Sequence, residues 1–266
     1  MPKACLIVSL GLIFFCPSIF AENLSAYDIM KRVDERYEGD TRTSKATLIL
    51  MDKQDRQRVR EIEMNGFEKE DVEKSLMVFR SPSDVAGTSY MSWDWKDENK
   101  EDDAWLYLPA LQKIRRVAAS DESGSFMGSD FSYADINGLE LNDFSYEIEK
   151  DSDPVDGVDC WVITTTPKHD EAIKTTGYTS ATSWVRKDSF MIVKGIINVK
   201  KGKRVKYFSV KDIEQIDGIW TAHTLQMITT RNNKKEHASI LKIRDVVYNK
   251  GVDESLFDTA VMQRGL

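Results

Sequence analysis

Apolar residues recur along this 266-residue chain in three successive patterns. From Ala4 to Phe20 they run almost without interruption, with Lys3 the one charge before them and Pro17 the one break. From Tyr27 to Tyr37 they take helical spacing: Tyr27, Met30, Val33 and Tyr37 share a stripe, and charged residues fill the gaps. Ser25 stands where an N-cap is needed and Gly39 where a helix stops. Beyond Gly39 the period drops to two, the signature of strands. Thr43 to Met51 and Arg58 to Phe67 read as a hairpin around a polar turn at Asp52-Lys53-Gln54-Asp55. Leu76 to Phe79 is a further strand, ended by Ser81-Pro82. In the next strand Met91, Trp93 and Trp95 share one face and Tyr90, Ser92 and Asp94 the other; Trp105 and Tyr107 repeat the scheme before Pro109.

The regular pattern lapses between Gln112 and Gly138. Lys113, Arg115 and Arg116 lead into a Ser/Asp/Gly-rich run, Ser120 to Asp130, that nevertheless carries Phe126 and Met127. Phe131, Tyr133 and Ile136 follow before a turn at Asn137-Gly138. A long loop bearing bulky apolar residues is the usual form of a lid or binding element. Strand signals then resume at Phe144, Tyr146 and Ile148 and continue as a meander to Tyr248. Its separators include Asp156-Gly157, Asp217-Gly218 and Asn232-Asn233, which are hairpin-turn chemistry. Lys168 to Thr179 is polar and gives no clear pattern. Asp253 to Met262 reads as a short closing helix. Roughly eleven to thirteen strands, all antiparallel, predict one strongly curved sheet with few helices.

The N-terminal run changes the picture of where such a domain works. A positive start, an apolar core and a small residue, Ala21, before the polar chain describe a cleavable signal peptide over residues 1–21. Residues 22–266 would then form a single domain. The apolar run is short for a membrane span, and no later stretch approaches the ~20 residues a spanning helix requires. Cys5 and Cys16 fall in the signal, which leaves Cys160, read as a buried thiol in an apolar strand. The formal net charge is −7 with no long basic block, which argues against nucleic acid and against anionic lipid surfaces as partners.

Catalytic motifs are scarce. His169, His223 and His237 are not at metal-ligand spacing. Asp151, Asp153, Asp156 and Asp159 lack the Glu that would close a calcium loop. Gly124 to Gly128 is neither a nucleophile elbow nor a phosphate loop. No metal, cofactor or enzymatic activity is expected. Six tryptophans and ten methionines supply adaptable apolar surface instead.

Two runs carry a resemblance: Trp105-Leu-Tyr-Leu-Pro-Ala-Leu-Gln-Lys-Ile-Arg-Arg-Val-Ala-Ala-Ser120 and Ser123-Gly-Ser-Phe-Met-Gly-Ser-Asp-Phe-Ser-Tyr133. They resemble the LolA-like family of outer-membrane lipoprotein-sorting carriers, and the order of helix, hairpins, irregular loop and meander agrees. The resemblance implies an unclosed β-barrel whose concave side is covered by helices. It also implies a periplasmic carrier whose cavity holds a lipid or a lipoprotein's acyl chain. Such proteins resemble companions of resistance-nodulation-division transporters, so an adaptor docking an inner-membrane transporter is the alternative; a hydrolase is a third and weaker one. On the carrier reading the chain acts as a monomer. Phe126, Met127, Phe131, Tyr133 and Ile136 form a movable cover, Trp93, Trp95, Trp105 and Tyr107 line or flank the cavity, and Arg115 and Arg116 meet a headgroup or partner acid.

Overall fold

The computed structural model describes residues 24–97 and 100–264. The expected signal peptide lies outside the described residues. Thirteen strands form one antiparallel sheet: β1 Thr41–Asp52, β2 Gln57–Glu68, β3 Val72–Ser81, β4 Ser89–Trp95, β5 Asp103–Leu108, β6 Lys113–Arg116, β7 Phe144–Lys150, β8 Cys160–Pro167, β9 Tyr178–Arg186, β10 Ile192–Val199, β11 Arg204–Ile216, β12 Ile219–Arg231 and β13 Lys234–Tyr248. The spatial order is β6-β5-β4-β3-β2-β1-β13-β12-β11-β10-β9-β8-β7. The two halves of the chain, each a meander, therefore join through the β1–β13 pair. β6 and β7 are left as free edges, so the single curved sheet that the alternation predicts is the unclosed barrel that the resemblance implies.

Turn chemistry fixes the hairpins. Asp156-Gly157, Asp217-Gly218 and Asn232-Asn233 all take positive φ at both positions, the geometry that matches the twist of paired strands. Among the described residues four short helices accompany the sheet: α1 Ala26–Asp34, α2 Tyr133–Asn137, α3 Asp170–Thr176 and α4 Thr259–Arg264. Ser25 caps α1 through a capping box with Asp28, as its position suggests. The helix ends at Asp34 rather than running on to Gly39, and Tyr37 is left exposed. α3 occupies the stretch without a clear sequence pattern. His169 caps it by accepting from the Ala172 N–H, and Gly177 ends it in the left-handed region.

Register divides the side chains between two faces. The inner face carries Ala46, Leu48, Leu50, Ile62, Phe79, Tyr90 and Met227, packed under the segment between β6 and β7. At the other end of that face, α1 buries Ala26 and Ile29 against Ile163 and Val185. The outer face of β3–β5 carries Leu76, Val78, Met91 and Tyr107, covered by the C-terminal segment through Phe257 and Met262. That segment, read from sequence as one helix, is a 3-10 turn at Glu254–Phe257 followed by α4. Cys160 is fully buried beside Val162 and Trp184, and its thiol pKa is raised by burial.

Candidate functional site: a lid clasped over an apolar inner face

The segment from Val117 to Asn137 contains no strand, only two 3-10 turns and α2, yet it is tied to itself. The Phe126 N–H donates to the Phe131 carbonyl at 2.7 Å, and Ser125 bridges to Ser132. The Ser129 hydroxyl donates to the Phe126 carbonyl at 2.7 Å. Met127 sits at φ 50°, which turns the chain and directs its carbonyl to the Arg60 guanidinium. Such internal bonding makes a compact loop packed by its own side chains.

This lid presses Phe126, Phe131 and Ile136 onto Leu48, Ile62, Met64, Met77 and Leu241 of the sheet. Phe126 stands edge-on to Tyr90 with ring centroids 5.3 Å apart, and edge-on to Tyr133 at 5.4 Å. The space left between lid and sheet is about 20 Å³, lined by apolar side chains. A void of that size holds at most one water, and apolar lining keeps it dry. An acyl chain fits only if the lid side chains leave.

Three polar anchors hold the lid down. The first centres on Asp130, whose side chain is 2 % exposed. Its carboxylate accepts from the Ser239 hydroxyl at 2.7 Å, from His237 Nδ1 at 2.7 Å and from the Thr229 hydroxyl. Its own N–H donates to Ser239 Oγ at 2.9 Å. The second centres on Asp135, which closes the capping box of α2 with Ser132. Both carboxylate oxygens also accept from the Tyr178 hydroxyl at 2.8 Å, and Lys206 Nζ lies 3.3 Å from one of them. Lys206 and Asp135 are 12 % and 13 % exposed. Burial next to this carboxylate raises the Tyr178 pKa well above the ordinary phenol value. In the third, the Tyr90 hydroxyl donates to Asn137 Oδ1 at 2.5 Å, and Asn137 Nδ2 donates to Glu122 at 3.2 Å.

The structure thus brings together the five cover residues singled out by sequence. Phe126, Phe131 and Ile136 line the void; Met127 and Tyr133 pack against the same cluster. It does not bring Trp93, Trp95, Trp105 and Tyr107 to them. Tyr90, Ala104 and Leu106 take the inner face of β4 and β5, and alternation then sends Trp93, Trp105 and Tyr107 to the outer face under the C-terminal segment. Trp95, on the Trp93 side of β4, contacts that ring edge-on, and its Nε1 donates to Asp103 at 3.2 Å. Trp93 and Trp105 line a separate open cleft of about 510 Å³ with Lys74, Glu254, Phe257 and Asp258. Arg115 and Arg116 lie on the edge strand β6, in exposed ion pairs with Asp121 and Asp103.

Sequence reasoning did not find the clasp residues Asp130, His237, Ser239 and Thr229, nor Asp135, Tyr178 and Lys206. Only the Ser132-x-x-Asp135 capping box leaves a local signal. Among the described residues no group of His, Cys, Asp and Glu is placed to hold a metal ion, and no helix is long and apolar enough to cross a membrane.

Comparison with known proteins agrees with this architecture. A family model described only as an uncharacterized protein matches residues 71–264. None of the curated proteins compared by sequence matches the chain. Among solved structures, a domain classed as outer membrane lipoprotein-sorting from Vibrio parahaemolyticus is 28 % identical, covering 90 % of this chain and 98 % of its own, with a TM-score of 0.79. A LolA superfamily protein from Nitrosomonas europaea shares the fold at 15 % identity, covering 90 % of this chain and 99 % of its own, with a TM-score of 0.66. A DUF1329 family protein from Desulfovibrio piger is 30 % identical, covering 89 % of this chain and 97 % of its own, with a TM-score of 0.78. With that likeness along nearly the whole of both chains, this protein belongs to the LolA-like DUF1329 family.

Proposed function

We propose that the protein is a periplasmic carrier that binds a lipid, or the acyl chain of a lipoprotein, between the lid and the inner face of the sheet. The observation that carries this reading is the dry apolar seam between Phe126, Phe131 and Ile136 on the lid and Leu48, Ile62, Met64, Met77 and Leu241 on the sheet. The core of a finished fold has no need of a separable cover. Here the cover is one self-bonded loop fixed by a few polar anchors, and such elements come from the low-stability part of a fold. An incoming chain replaces the lid's aromatic side chains on the same surface. Each buried methylene contributes ~0.8 kcal/mol, so a handful of carbons offsets the lost lid contacts.

Residues 1–21 serve as the export signal, and residues 22–266 act as one carrier domain without enzymatic activity. The similarity to lipoprotein-sorting structures supports this assignment. Detergent-free purification from the envelope, followed by organic extraction and mass spectrometry, tests it. Bound lipid at near-stoichiometric amounts is the expected result; lipid-free protein that also fails to take up added phospholipid or acylated peptide would overturn the reading. Amino-terminal sequencing of the same sample is expected to begin at Glu22.

A further inference from the structure

The net charge of −7 hides a strong segregation. The β1–β2, β10–β11 and β12–β13 turns lie at one end of the sheet, because β2, β1, β13, β12, β11 and β10 are successive neighbours. Residues 52–60, 200–204 and 231–236, which make up these turns, hold eleven basic side chains against three acidic ones, net +8. Asp52, Asp55 and Glu236 are each engaged by an arginine or lysine within the same rim. Among the described residues, Lys53, Arg58, Lys200, Lys201, Lys203 and Lys234 have no acidic partner, and all six are exposed. The opposite end is acidic. Residues 68–71 and 151–159 hold seven acidic side chains against one basic one, with Glu68, Asp151 and Asp153 paired to Lys96, Lys187 and Lys150.

We infer that the basic rim is a docking surface for an anionic phospholipid bilayer. Five of the six unpartnered cations are lysines, hydrated point charges on flexible stems. Six strands at ~4.8 Å spacing spread them along an arc of about 24 Å. No aromatic residue and no methionine lies in the exposed turns to form the anchored centre of a protein interface, where lysine is depleted and aromatic residues enriched. A diffuse cationic arc instead matches a planar field of lipid phosphates, for which each basic residue near the surface contributes separately. The acidic end orients the molecule with its rim toward the membrane. Asp130's partner His237 lies two residues beyond Lys235, so docking would bring the lid clasp close to the lipid surface. This revises the sequence-level expectation, which weighed basic blocks along the chain and not across strands. The docking surface stands whether or not the inner face carries a lipid.

Vesicle flotation tests the inference, using phosphatidylcholine vesicles with and without about one-third phosphatidylglycerol, at ~50 mM and ~300 mM salt. Binding to the anionic vesicles alone, lost at the higher salt, is expected. The triple variant Lys200→Gln, Lys201→Gln, Lys234→Gln should bind about a hundredfold more weakly, at roughly fivefold per charge. The charge-matched control Lys211→Gln, Lys242→Gln, Lys250→Gln, away from the rim, should lose less than about fivefold. Equal losses in both variants, equal binding to neutral vesicles, or capture of an acidic protein by a rim that ignores vesicles would overturn it. The salt dependence of the unmodified protein tests the surface independently of any variant's folding: anionic-vesicle binding that is unchanged at the higher salt counts against it.

Discussion

Removing the Asp130 carboxylate should release the lid without unfolding the sheet. In Asp130→Ala, the Ser239 and Thr229 hydroxyls and His237 Nδ1 lose their shared acceptor at a site 2 % exposed. Ser239 is itself fully buried, so water cannot replace the lost partner cheaply. Hydrogen bonds to a charged group contribute about 1.5–3 kcal/mol each, and breaking one side of a buried charged network costs about 3–5 kcal/mol in all. Applied to lid opening alone, that shift raises the open population by about two to three and a half orders of magnitude, at 1.4 kcal/mol per tenfold. Amide exchange followed by mass spectrometry reads it directly. Peptides covering residues 123–137 should lose protection, while those from β1, β12 and β13 keep theirs. A dye sensitive to apolar surface should bind the variant and not the parent. If the melting temperature falls by the full ~6–20 °C that 3–5 kcal/mol implies for a domain of this size, while exchange in 123–137 follows the rest of the chain, then lid and sheet open together. The lid is then no separable cover, and an acyl chain has no route to the inner face short of unfolding.

Two further outcomes follow from the same geometry. Phe126→Ala removes a lid ring that is 3 % exposed; it should weaken lid closure by about 3–5 kcal/mol, read as faster amide exchange in residues 123–137 with the sheet still protected, and the space it vacates should increase the affinity for short acyl chains, measured by calorimetry. Asp94, on the inner face of β4, has its pKa pushed up to about 7 by burial first, and then by the charges of Asp102 and Glu73. The folded state therefore holds a proton that the unfolded chain releases near pH 4. Stability from this group is full at lower pH and is lost as pH rises from ~4 to ~7, at up to about 1.36 kcal/mol per pH unit. Asp94→Asn should thus match the parent at about pH 4 and exceed it by as much as ~4 kcal/mol at pH 8; a difference constant with pH would refute the assignment.

Much of this molecule is written locally. Alternation places most of the strands, positive-φ turn pairs place their hairpins, and Ser25 with Asp28 sets the start of α1. The bulky residues in the irregular stretch mark the lid, because Phe and Ile in a Ser/Gly-rich loop need a surface to cover. β6 escapes notice because Lys113-Ile-Arg-Arg116 shows one apolar residue, and only pairing with β5 makes it a strand. α3 escapes because seven residues, about two helical turns between polar segments, are too few to show a stripe.

What the tertiary structure alone decides are matters of absolute face and of distance. Alternation shows that Met91, Trp93 and Trp95 share a side of β4, but period-two logic is symmetric and does not say which side is inner. The lid chooses Tyr90's side, and the tryptophans therefore pack beneath the C-terminal segment. The clasp joins Asp130 to residues 107 and 109 positions away, and Lys206 reaches Asp135 across 71. No local pattern encodes such pairs. The basic rim arises in the same way: three short turns, unremarkable in order along the chain, become one charged arc because the β1–β13 pairing sets the two meanders side by side.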